Sequence, residues 1–128
     1  MLKNALAVGC GGFIGAAARY LFSVFVNRIN TGNFPISTLI INILGSFLIG
    51  FLTQLFSSLY PSNKKLLLFL TTGILGGFTT FSTFSLETVN LYQSGNMLYA
   101  ALNIIFSIVF CISGAFLGKM LAGIIANA

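Results

Sequence analysis

The chain has 128 residues, 57% of them hydrophobic, 14% aromatic and 5% charged, with six Lys or Arg, one acid and no His. Soluble domains carry about 25% charged residues, so this composition excludes a water-clothed fold and predicts an integral membrane protein. A lone carboxylate, Glu87, without Asp or His leaves no carboxylate pair, no Ser/His/Asp set and no side-chain metal cluster, so no enzyme is expected.

A helix crosses the hydrocarbon with about 20 apolar residues, so the length admits roughly four crossings in one transmembrane domain, residues 1–128. The first apolar run, about 5–26, follows Lys3 and contains Arg19. It is too long for a cleavable leader and precedes further spans, so it is expected to be the first transmembrane helix. A polar connection with Arg28 leads to Pro35, which suits the first turn of a second helix over 36–59. After a Tyr-Pro-Ser-Asn-Lys-Lys break the third run covers 66–92, and beyond Gln93-Ser94-Gly95-Asn96 a fourth covers 97–125.

Lipid offers backbone groups no hydrogen-bond partner, so these four helices are expected to pack as an all-α membrane bundle. Gly11 with Gly15, and Gly114 with Gly118, have the small-xxx-small spacing that lets helix backbones approach. Cys10 and Cys111 lie in apolar runs without CxxC spacing and read as packing residues. The net charge of +5 is scattered rather than patched, which fits membrane borders and not nucleic acid. Lys3, Lys64 and Lys65, with Lys119 as a fourth candidate, fall on the side of the N-terminus, and Arg28, with Arg19 as a second candidate, on the other, a small bias towards N-in, C-in that still permits insertion both ways.

The third run is the anomalous one. Gly76-Gly77 followed by Thr79-Thr80 is poor helix material near mid-span, which predicts a helix broken at the bilayer midplane. Carbonyl oxygens freed there suit a small cation; a Gly-rich packing notch is the alternative. Phe81 and Phe84, three apart, share a helix face beside Ser82, Thr83 and Ser85. The positive edges of two such rings can solvate an anion, although core packing is the plainer reading of a phenylalanine pair.

Asn42 and Asn103 place amides at membrane depth, and Asn103, Ser107 and Cys111 form one stripe at i, i+4, i+8. Each Asn alone reads as glue between helices, but together with the third-run hydroxyls they make a donor-lined track suited to a hydrated anion. Arg19 and Glu87 are the ionisable residues placed deepest, either as functional groups or as a structural pair.

Three stretches carry a family resemblance: Gly11-Gly12-Phe13-Ile14-Gly15-Ala16-Ala17-Ala18-Arg19-Tyr20, Thr38-Leu39-Ile40-Ile41-Asn42-Ile43-Leu44-Gly45, and Gly76-Gly77-Phe78-Thr79-Thr80-Phe81-Ser82-Thr83-Phe84-Ser85-Leu86-Glu87. In length, span number and motif order the whole chain resembles the Fluc (CrcB) fluoride channels. The resemblance implies a cell-membrane, dual-topology dimer of antiparallel subunits with two fluoride pores, passive fluoride export that gives fluoride resistance, and a central structural sodium ion. Carried onto this chain, the paired rings are Phe81 and Phe84, the pore asparagine is Asn42, and the sodium-holding carbonyls are those of Gly76 and Thr79. Ser82 and Thr83 would join the polar track with Ser107 facing it, and Arg19 would be the first-helix arginine. Ser37 stands where the family often has Gly, and Cys111 where it often has a stronger donor. The loop charges fit either an identical second subunit or a pair of oppositely biased ones.

Two other readings compete. A small multidrug-resistance exporter of organic cations matches in size, but needs an acid in its first helix, where this chain has Arg19. A structural membrane subunit would use the glycines for packing alone and tolerate Phe81→Ile and Asn42→Leu.

Overall fold

The structure is a computed structural model describing residues 1–128, and it is helical almost throughout. Helix α1 spans Leu2–Ile29 and α2 spans Ile36–Leu59. The third crossing, Lys64–Gln93, is built from α3 (Lys64–Leu68), a π-helical segment (Phe69–Leu75), α4 (Gly76–Phe78) and α5 (Phe81–Gln93). Helix α6 runs Met97–Asn127. All four crossings are long and apolar enough to span a bilayer.

The exterior is what lipid requires: Phe13, Leu21, Ile112, Phe116 and Ile124 all stand exposed. The buried positions are mostly small or polar, among them Ser37, Thr38, Thr71, Thr80, Asn103 and Ser107, with Ile41 and Ala122 the most enclosed apolar ones. This inverts a soluble core. Apolar side chains gain nothing by leaving hydrocarbon, so close backbone packing and hydrogen bonds hold the helices together.

Helix α1 lies against the π segment and α4, while α2 pairs with α6 along its length and α5 leans on α6. The glycine stripes are the contact lines. A Cβ on Gly11 would sit 2.7 Å from the Phe69 carbonyl, and one on Gly15 would overlap the Ile74 carbonyl. On the other seam a Cβ on Gly118 would strike the Phe47 carbonyl of α2. The spacing expected to bring backbones together does so on both seams.

The third crossing bends where Gly-Gly gives way to Thr-Thr. Thr79 (φ −78°, ψ 157°) and Thr80 (φ −153°, ψ 112°) are extended, and α5 restarts at Phe81. Thr80 caps the new helix, its Oγ1 accepting from the Thr83 amide at 3.2 Å. The π segment just before the break is a feature that the residue pattern does not announce; it faces α1, with Thr71 and Gly73 buried, and Thr71 Oγ1 donates back to the Leu67 carbonyl at 2.8 Å.

Candidate functional site

At the depth of the break, α2, the third crossing and α6 enclose an open groove of about 380 Å³. Asn42, Gly45 and Ser46 come from α2; Gly76, Thr79, Thr80, Phe81 and Phe84 from the third crossing; Ser107 and Cys111 from α6. No lysine, arginine or carboxylate lines it. Its chemistry is therefore neutral dipoles: amide, hydroxyl, thiol, carbonyl and ring edges.

Asn42 reaches across from α2 and clasps the break. Its Nδ2 donates to the Thr80 carbonyl at 3.1 Å and its Oδ1 accepts from the Thr80 amide at 2.9 Å. Thr80 also organises the hydroxyls: its Oγ1 donates to Thr83 Oγ1 at 3.0 Å and lies 3.3 Å from Ser82 Oγ. Ser82 and Thr83 thus belong to the cap of α5 and do not themselves line the groove. Phe81 and Phe84 sit with centroids 5.3 Å apart at 46°, Phe84 half-buried and Phe81 79% exposed.

The stripe on α6 divides. Asn103 is buried and serves as glue, its Nδ2 donating to Thr88 Oγ1 of α5 at 2.9 Å. Ser107 and Cys111 line the groove together with Ser46 of α2, and the Ser107 hydroxyl is buried and has no partner. A buried donor without a partner is rare enough to ask for a ligand.

Gly76 and Thr79 line the groove, and the break takes from each carbonyl the helix amide that would pair with it. The Thr80 amide, which an unbroken helix would aim at the Gly76 carbonyl, goes to Asn42, and the Thr83 amide, which would serve the Thr79 carbonyl, goes to Thr80 Oγ1. These are neutral, hard oxygen donors, a set that fits a monovalent hard cation and offers nothing to a thiophilic metal.

Glu87 lies outside the groove. It lines a polar vestibule of about 430 Å³ with Asn33, Asn90, Ser94 and Asn96, below the connections after α1 and α5. Its Oε1 accepts from Thr38 at 2.8 Å and its Oε2 is unpartnered, so the alternative of a structural pair with Arg19 is not what the structure has. Arg19 stays on α1, half-buried and unpaired. Thr80, Thr38 and Thr88 are hydrogen-bonding participants that the motifs contain or adjoin without assigning them a role. Two carried a usable signal: Thr80 stands where an N-cap must stand once the helix is broken, and Thr38 is one turn from Asn42 on the same face.

Residues 6–119 match the family model described as CrcB-like protein, Camphor Resistance (CrcB). The chain belongs to this family. A protein of Ruminiclostridium cellulolyticum named fluoride-specific ion channel FluC is 68% identical over 97% of this chain and 95% of its own length. Proteins of the same name from Clostridium novyi (51% identical, 91% of this chain, 94% of its own) and Elusimicrobium minutum (46%, 98% and 98%) are similar end to end. With four apolar crossings, this CrcB-family chain is a multi-pass membrane protein.

Proposed function

We propose that the chain is a fluoride-selective channel through which cytoplasmic fluoride leaves passively, giving fluoride resistance. The observation that carries this reading is the 68% identity, over nearly the full length, to a protein named fluoride-specific ion channel. Groove chemistry supports it. Fluoride is small and strongly hydrated, so a path must replace its water with donors yet hold no cation deep enough to trap it. Asn42 has a second Nδ2 hydrogen free after its bond to Thr80, Ser107 has an unused hydroxyl, and the two phenyl edges add weak positive poles. Passive flow suffices: neutral HF enters from an acidic medium, dissociates inside, and the anion leaves down its gradient.

The same proposal assembles two antiparallel copies with a pore each. A two-fold axis through the breaks would gather the Gly76 and Thr79 carbonyls of both chains around one sodium ion. Bound there, sodium would supply positive charge between the pores and lessen repulsion between their anions.

The test is fluoride efflux from liposomes containing the purified protein, followed with an ion-selective electrode beside chloride controls. Fast efflux selective for fluoride, reduced at least about tenfold (roughly 1.4 kcal/mol at the barrier) in Phe81→Ile and in Asn42→Leu with the oligomer intact, is expected. Folded protein without flux would overturn the homodimeric channel, and variants with undiminished flux would point to packing roles for both residues.

A further inference from the structure

Asn42 spends both ends of its amide on the backbone of one residue in another span. In an unbroken helix the Thr80 N–H would close on the Gly76 carbonyl; here its one hydrogen goes to Asn42 Oδ1 at 2.9 Å. The second Asn42 bond, Nδ2 to the Thr80 carbonyl at 3.1 Å, fixes that peptide in its extended setting. Thr80 is 7% exposed even though it lines the groove, so its amide has little access to a substitute acceptor. Removing the Asn42 oxygen leaves a buried donor whose nearest remedy is to re-form the helix bond to Gly76. The competition is direct: either α2 takes the Thr80 donor and the Gly76 oxygen is free, or the helix takes it back and the oxygen is consumed.

We infer that Asn42 is the positioning residue that keeps the Gly76 carbonyl available to a monovalent cation, so that cation binding at the break depends on an α2 side chain that does not ligate the cation. The inference rests on the cation reading proposed above and deepens it. The anion path and the cation site then share one residue: the groove-lining amide that keeps one hydrogen unused is the amide that holds the cation's ligand open.

The test reads stability, not flux. The melting temperature of the purified protein is followed while N-methylglucammonium chloride is replaced by sodium chloride at constant ionic strength. The native protein is expected to melt higher in sodium, because a ligand that binds only the folded state stabilises it. Asn42→Leu is expected to lose that sodium-dependent shift. Gly118→Ala, which damages the distant α2–α6 seam, is expected to melt lower yet keep the shift, separating loss of the site from loss of stability in general. A shift retained by Asn42→Leu overturns the inference alone; a native protein indifferent to sodium overturns the cation reading and this inference with it. Should Asn42→Leu fail to fold, the native protein decides by NMR in lipid: the Gly76 carbonyl carbon should move when sodium replaces N-methylglucammonium while the Thr80 amide stays protected from exchange. An unmoved Gly76 signal overturns the inference.

Discussion

Ser107 is the residue whose surroundings fit its chemistry least. It is 9% exposed, its hydroxyl has no partner, and the polar group one turn before it on the helix, Asn103, is engaged with Thr88. A buried donor left unsatisfied costs about 1–3 kcal/mol, so a sequence selected only for stability would carry alanine here. Ser107→Ala is therefore expected to raise the unfolding free energy by about 1 kcal/mol, part of the gain being lost to poorer packing. In the proposed channel the same change should slow fluoride efflux. Thermal denaturation in detergent and efflux from liposomes read the two effects separately. A variant that is both less stable and equally conductive would show that the hydroxyl has a structural partner and no part in conduction.

At the scale of helices, close backbone approach governs the packing, and glycine position decides which substitutions the fold bears. Gly15 lies where any Cβ would overlap the Ile74 carbonyl, a backbone atom held by the π segment of the third crossing, while Gly9 on the same helix has nothing within 4 Å. Gly15→Ala is expected to push α1 off its seam and destabilise by about 1–3 kcal/mol or more. Gly9→Ala should be neutral or stabilising by about 0.5–1 kcal/mol, because alanine loses less backbone freedom in a helix. Denaturation of the two variants in a lipid-like detergent compares them directly; equal stability would mean that the seam yields. The spacing of these glycines was readable from the chain, as was the break, because hydropathy length and the Gly-Gly-Phe-Thr-Thr run are local signals. The π segment at Phe69–Leu75 was not, since nothing in Phe-Leu-Thr-Thr-Gly-Ile-Leu departs from a membrane helix until α1 is laid against it. The partners of Asn42, Glu87 and Asn103 were likewise out of reach. Each polar residue announced that it needed a partner, but Thr80, Thr38 and Thr88 become those partners only through the bend and the pairing of α2 and α5 with α6. The contacts of Ser82 and Thr83 with Thr80 were hidden for a related reason, since they form only once Thr80 caps α5.

For the whole molecule, the chain leaves a polar groove uncovered at the depth of its helix break. Gly76 and Phe81 line it and are exposed. An antiparallel second copy, as proposed, would cover this face, and such a pair requires the chain to insert in both orientations. Few cations separate the sides: Lys3, Lys64 and Lys65, with Lys119 inside α6, stand against Arg28 in the last turn of α1, with Arg19 further inside that helix. Orientation follows the Lys/Arg bias of short loops, so removing one charge from the poorer side should tip a balanced chain. Arg28→Ala is expected to insert almost wholly N-in, measured with a C-terminal reporter active on one side only, and to lose most of its flux for lack of inverted partners. The double variant Lys64→Ala, Lys65→Ala should drift the opposite way. Expressed together, the two populations should pair and restore efflux, although each is poor alone. Full flux from a uniformly oriented Arg28→Ala protein would be incompatible with an antiparallel pore, and would require the groove to be completed by a parallel copy or by lipid.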